Sequence, residues 1–190
     1  GLESSAWMFR FYLDQLDATV LGLLQVDSEG NVNVSRRGPA ITDYVGPGGF
    51  PSIVQAADTV IFVGTWMTGA KWRIHGDELE LVRPGRPKFV ERVDEVTFSG
   101  AQALADGKRV YYVTHIGVIE LTERGLELNW LMPGIDPARD VFPHTGARIT
   151  LARETVLVPR SVVTGRGFDL RSSTGRGPLA GRDTCTAAIE

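Results

Sequence analysis

Little in this sequence offers a covalent or metal-based anchor. One cysteine, Cys185, cannot close an internal disulfide, and the three histidines, His75, His115 and His144, stand at no zinc-type spacing. The expectation is a chain without bound metal from a reducing compartment: the cytoplasm, or an organelle matrix once any transit peptide is removed. No uninterrupted apolar run approaches the roughly 20 residues that a membrane-spanning helix needs. The opening residues, Gly1-Leu2-Glu3-Ser4-Ser5, lack the charged-then-apolar order of a secretion signal. Membrane association is not expected. An excess of basic charge is missing as well: 20 Lys and Arg against 23 Asp and Glu leave a net charge of −3, so nucleic acid is not an expected partner. No serine or cysteine sits at a nucleophile elbow that a histidine could serve, which argues against a hydrolase triad. What remains is ordinary globular material, with 43% of 190 residues hydrophobic, enough for one substantial core.

What the chain does have is a cluster of glycines, Gly46-Pro47-Gly48-Gly49-Phe50, set between two apolar runs. Glycine has no Cβ, so such a loop lets backbone amides approach a ligand closely and adopt unusual φ. The run Val20 to Val26 before it reads as a strand buried on both faces and closed by the turn residues Asp27 to Asn31; Thr59 to Gly64 after it reads as another. Between them, Phe50 to Ala57 reads as a short helix with Pro51 in its first turn. A helix is also expected from Ala6 to Leu13, capped by Ser4 or Ser5.

Beyond residue 70 the pattern turns to alternation. Lys71 to His75 and Glu78 to Val82 flank Gly76-Asp77 as a hairpin, and Val118 to Thr122 with Leu126 to Leu131 form a second. A strand is expected over Val93 to Phe98 and over Arg109 to Val113, a helix over Gly100 to Ala105, and another from the cap Asp136-Pro137 to about Val141. The sum is an α/β fold: an open, mostly parallel sheet flanked by helices, with antiparallel hairpin additions. From about Ser161 the chain is rich in Gly, Arg, Ser and Thr and buries too little to order itself, so a linker-like tail is expected.

Several segments then carry a family resemblance. Gly22 to Asp27, Gly30-Asn31-Val32-Asn33-Val34-Ser35, Gly46 to Phe50, Phe62-Val63-Gly64-Thr65, Val96 to Gly100 and Pro133-Gly134-Ile135-Asp136 occur in the order seen in family I coenzyme A transferases. The chain resembles the second, β-type half of the acetate/propionate branch, which includes the 3-oxoacid transferases, over about residues 6 to 151. The division this implies is a β-type domain over 1–151, N-terminally incomplete, and a tail over 152–190. The resemblance implies transfer of coenzyme A (CoA) between an acyl-CoA and a small carboxylic acid by way of a glutamyl-CoA thioester, with CoA as substrate and no permanently bound cofactor. It also implies an α-type domain or subunit as partner, and a homo- or hetero-oligomer.

By the same resemblance, Gly48 or Gly49 supplies a backbone amide to an oxyanion hole; a plain strand-to-helix turn is the alternative reading of those glycines. Asn33 matches a position whose amide lies near the reacting glutamate, and Asn is equally a turn residue. Gly46, Phe50, Thr65, Thr68 and Gly69 are expected around substrate or CoA, the last three after a strand end where open α/β sheets collect ligands. The departure from the family lies in the nucleophile. Its glutamate motif is expected tens of residues before Met8, and Glu3 in Leu2-Glu3-Ser4-Ser5 matches the motif in letters but not in position; the other reading of Glu3 is a charge near a helix start. Two functions stay open: a transferase part that carries the oxyanion side of the site, and a non-catalytic domain of the same fold that binds acyl-CoA or a partner protein.

Overall fold

The computed structural model describes residues 16–168, so the expected helix over 6–13 and Glu3 lie outside the described residues. The first half holds β1 (Leu16–Gly22), β2 (Gln25–Val26), β3 (Val32–Asn33), helix α1 (Phe50–Ala56), β4 (Ala57–Val63), β5 (Met67–Thr68), β6 (Lys71–His75), β7 (Glu78–Arg83) and β8 (Arg86–Pro87). The second holds helix α2 (Gly100–Ala105), β9 (Arg109–Thr114), β10 (Gly117–Thr122), β11 (Gly125–Leu131), β12 (Ile149–Leu157) and helix α3 (Arg160–Thr164). Six strands form the main sheet in the order β1-β4-β9-β10-β11-β12. The pairs β1/β4, β4/β9 and β11/β12 are parallel; β9/β10 and β10/β11 are antiparallel. This is the α/β sheet with antiparallel additions that the residue pattern predicts.

The core fills one face of that sheet. Phe62 of β4 stacks on Tyr112 of β9 with ring centroids 5.5 Å apart, and Phe98 meets Phe62 edge-on at 5.1 Å. Trp66 and Phe89, both fully buried, lie 4.7 Å apart and extend the cluster toward β5 and β8. Aromatic pairs of this kind add about 0.5–1.5 kcal/mol beyond their area burial. Helix α1 ends on Lys108, whose Nζ donates to the carbonyls of Gln55 and Ala57, both at 2.8 Å, meeting two acceptors that the helix itself leaves open. Ser99 caps α2 by accepting from the Gln102 N–H.

Three local expectations change, and one helix stands. The run Val20 to Val26 is not one buried strand: β1 stops at Gly22 and lies on the sheet edge, with Val20 64% exposed, while Leu23 turns inward and is 5% exposed. An apolar run records the wish to be buried, not the direction of the chain, and here the chain leaves the sheet in mid-run. Over Val93 to Phe98 there is no strand. Asp94 and Glu95 break the alternation, and the N–H groups of Thr97 and Phe98 both go to the Val32 carbonyl. The helix expected after Asp136 is present over Pro137–Val141, as a single π-type turn, capped by the Asp136 carboxylate accepting from the Arg139 N–H at 2.8 Å. Finally, the sheet extends past residue 151: β12 runs to Leu157, pairing Leu126 with Ile149 and Leu131 with Leu157.

Candidate functional site

Parallel pairing brings Gly22 of β1 beside Val63 of β4, so both strands end on the same rim of the sheet. The glycine loop folds against that rim. A cleft of about 340 Å³ lies there, walled by Gly22, Leu23 and Leu24 on one side and by Gly46, Pro47 and Phe50 on the other. Crevices outside the carboxyl ends of strands are where open α/β sheets take ligands. The loop is held at its entry, where the Ser35 carbonyl accepts the N–H groups of Val45 at 2.7 Å and Gly46 at 3.3 Å. It then turns through Gly48 at φ 56, a left-handed conformation that a side chain would strain, and Gly49 caps α1. Neither the Gly48 N–H nor the Gly49 N–H donates to an acceptor among the described residues.

Asn33 supports this loop from below. Fully buried, it accepts the N–H groups of Ser35 and Arg36 on Oδ1, both at 3.0 Å. Its Nδ2 donates to Gln25 Oε1 and to the Arg36 carbonyl, both at 2.7 Å. All four of its polar positions are thereby matched. Asn33 shapes the Ser35 turn, and Ser35 anchors the glycine loop, so the side chain acts on that loop through one intermediate residue.

The sequence candidates therefore fall into groups. Gly46 and Phe50 wall the cleft, while Gly48 and Gly49 form the turn between them and do not line it. Thr68 is exposed and lines a second, larger cavity of about 710 Å³, while Thr65 and Gly69 are exposed and line neither. Leu24 belongs to both hollows and separates them. What sequence reading missed is the charge in the larger one: Arg36, Arg37, Arg86 and Lys88 converge from segments about fifty residues apart, and no local spacing announces them. His115 is a packing residue, stacked on Trp72 with ring centroids 5.2 Å apart. Burial, and secondarily the Lys88 charge, lower its pKa and favour the neutral ring. Among the described residues no group of three His, Cys, Asp or Glu is placed to hold a metal, and no helix is long and apolar enough to cross a membrane.

Comparison with known proteins gives this geometry its context. A caffeate CoA-transferase of Acetobacterium woodii is 36% identical over 130 residues, 67% of this chain and 25% of its own. The acetate CoA-transferase YdiF of Escherichia coli K12 is 38% identical over 129 residues, again 67% of this chain and 24% of its own. The solved acyl-CoA transferase YdiF apoenzyme of E. coli O157:H7 superposes with a TM-score of 0.79 at 31% identity, covering 86% of this chain and 32% of that one; that enzyme is also known as a thioester complex with CoA. The decarboxylase AibA/AibB shares the fold alone, at 18% identity and a TM-score of 0.62 over 90% of this chain and 66% of that one. No protein-family model matches the chain. Sequence identity and superposition together define a coenzyme A transferase fold. Over the matched stretch the chain belongs to the family I coenzyme A transferases, and it spans about a quarter of the length of the curated relatives it matches.

Proposed function

We infer that this chain is part of a transferase that moves CoA between an acyl-CoA and a carboxylic acid through a glutamyl-CoA thioester, with its glycine loop on the oxyanion side of the site. One observation carries the reading: the Gly48 and Gly49 N–H groups have no acceptor among the described residues, in a loop whose Gly46, Pro47 and Phe50 wall a cleft at the strand ends. Backbone N–H groups are rarely left without a partner unless water or a ligand takes them. The thioester complex reported for YdiF supports a covalent CoA intermediate.

The chemistry follows from charge. A glutamate carboxylate attacks the thioester carbonyl, whose π electrons move onto oxygen. The oxyanion collapses, CoA thiolate leaves, and an acyl-glutamyl anhydride remains. The thiolate then attacks the glutamyl carbonyl, a second oxyanion forms, and the acyl group departs as a free carboxylate. The enzyme is left as a glutamyl-CoA thioester, and an incoming acid reverses both steps. Each oxyanion needs fixed donors, and one such donor contributes about 2.7–4 kcal/mol of transition-state stabilisation. No glutamate among the described residues lines the cleft, so the nucleophile is assigned to a glutamate outside residues 16–168, supplied by this polypeptide or by an α-type partner in an oligomer.

The test is to treat the product of the whole coding region with acyl-CoA, trap with hydroxylamine or borohydride, and locate the adduct by mass spectrometry. A modified glutamate is expected. An unmodified protein that still binds acyl-CoA points instead to a non-catalytic domain of the same fold. The observation favouring that second reading is that the Asn33 amide is fully engaged inside the chain.

A further inference from the structure

The glycine loop hangs from a buried serine whose side chain is held by a distant part of the chain. Ser35 is fully buried, and each of its polar groups has a different partner. Its N–H donates to Asn33 Oδ1 at 3.0 Å, and its carbonyl accepts from Val45 at 2.7 Å and Gly46 at 3.3 Å. Its hydroxyl lies 2.9 Å from Thr97 Oγ1, one oxygen donating to the other. Thr97 Oγ1 also accepts the Val34 N–H at 3.2 Å. One threonine oxygen thus fixes Ser35 through its side chain and through the peptide before it.

Thr97 is itself a firm support. Its N–H and that of Phe98 both donate to the Val32 carbonyl, at 2.9 and 3.0 Å, and the Phe98 carbonyl accepts the Val32 N–H at 3.0 Å. Phe98 is buried edge-on against Phe62 in the core. Ser35 is therefore referenced to the core of the sheet and not only to its own loop.

The consequence runs into the glycines. Residues 36–44 form an excursion closed at its base by the Val45 N–H on the Ser35 carbonyl, with the Arg37 N–H on the Asp43 carbonyl at 3.0 Å inside it. Only Pro47 and Gly48 then separate Gly46 from Gly49, the cap of α1. The directions of the Gly48 and Gly49 N–H groups are set from two ends, by α1 at the exit and by the Ser35 carbonyl at the entry. Donors aimed at a developing oxyanion lose much of their effect when displaced by a fraction of an ångström. Thr97 does not line the glycine cleft, so it meets no substrate there.

We propose that Thr97 is a positioning residue for CoA transfer, acting through Ser35 on the Gly46–Gly49 loop. The assignment rests on the transferase reading above. It is tested in the product of the whole coding region with Thr97→Val, which keeps the shape and removes the oxygen, and Thr97→Ser, which keeps the oxygen. Ser35→Ala forms a second arm, and cooperative urea unfolding verifies that each variant folds. In Thr97→Val, kcat should fall by about tenfold to a hundredfold while KM for acyl-CoA stays within about twofold, the pattern of an interaction that matters only in the transition state. Thr97→Ser should regain most of the turnover. Ser35→Ala should also lower kcat, and combining it with Thr97→Val should cost less than the two losses multiplied. Amide hydrogen exchange at Val45 and Gly46 should speed up in Thr97→Val and return toward the parent rate in Thr97→Ser.

Parental kcat in folded Thr97→Val, a serine variant as slow as the valine one, a loss seen in KM alone, or losses that simply multiply overturn the proposal and leave the transferase reading intact. A whole parent protein that transfers no CoA and traps no glutamyl adduct sinks the transferase reading. The exchange rates then judge Thr97 alone: acceleration that serine reverses keeps it as the residue that sets the loop, and unaltered rates overturn it.

Discussion

Two turns built around glycine, Asp27 to Asn31 and Gly46 to Gly49, put the same residue to opposite uses. In the first everything is closed. The Asp27 carboxylate accepts the N–H groups of Glu29 and Asn31, both at 3.0 Å, and the Asn31 Nδ2 at 3.1 Å. Asn31 Oδ1 accepts the Gly100 N–H at 3.0 Å, and the buried Tyr112 hydroxyl donates to the Gly30 carbonyl at 2.6 Å. A Cβ on Gly100 would sit 2.2 Å from the Glu29 carbonyl oxygen, so the helix can approach the turn only without one. In the second turn nothing lies within 4 Å of a Cβ built on Gly48, and the Gly48 and Gly49 amides have no acceptor among the described residues. Where neighbours press on a glycine, it is there for packing. Where space is open and donors are idle, packing does not explain it.

The largest effect that would break this contrast concerns the open turn. Gly49→Pro removes one N–H at φ −81, close to proline's own angle, and that N–H takes part in no hydrogen bond among the described residues. Where an unchanged urea midpoint shows that the variant folds, the transferase reading expects CoA-transfer turnover of the whole protein to fall by about 10²–10³-fold. Normal turnover in a folded variant would leave the loop as a turn and nothing more.

Next comes the closed turn. Gly100→Ala pushes a methyl into backbone that cannot rotate away, and should cost about 1–3 kcal/mol, seen as a drop of several degrees in Tm. A variant as stable as the parent would show that the α2 contact is loose and would erase the contrast. A smaller effect is expected of Tyr112→Phe, which leaves the Gly30 carbonyl without its donor at about 1 kcal/mol.

That tyrosine also ties the closed turn to pH. Burial first, and the Asp27 charge second, push its pKa well above the ordinary 10.0, so folding favours the neutral phenol. Its contribution is therefore complete below pH 10 and is lost as pH rises above it. The urea midpoint should fall in that alkaline window, less so in Tyr112→Phe and unchanged from the parent in Gly49→Pro. An identical alkaline decline in all three would detach the turn from the titration.

How much of this the sequence disclosed depends on distance along the chain. The hairpin Lys71–His75 with Glu78–Arg83 and the strands from Arg109 to Leu131 were legible because each alternates and pairs with its neighbour. The glycine loop and α1 were legible because Gly and Pro punctuate them. β12 was not: it shifts register between Leu128 and Trp130 of its partner, so Arg153 and Glu154 stand exposed in mid-strand and spoil the alternation. The exposed flank of β1 was hidden as well, since an apolar run looks the same at an edge as in a core. The cationic cavity was least legible of all, because Arg36 and Lys88 meet only once β2, β3 and β8 are in place. Asn33 was singled out, but its place beneath the Ser35 turn needed the four distances.

The strand order carries a consequence for how the molecule assembles. β9, β10 and β11 are joined by tight reversals, whereas β4 waits for β9 across nearly fifty residues and β1 for β4 across about forty. Closing long loops costs entropy before any contact repays it. Assembly should start in the 109–131 meander and spread outward, making β1 the last to dock. Pulse-labelled hydrogen exchange during refolding should protect Tyr112 and Ile119 amides before those of Leu21 and Phe62; simultaneous protection would mean that the sheet forms in a single cooperative event.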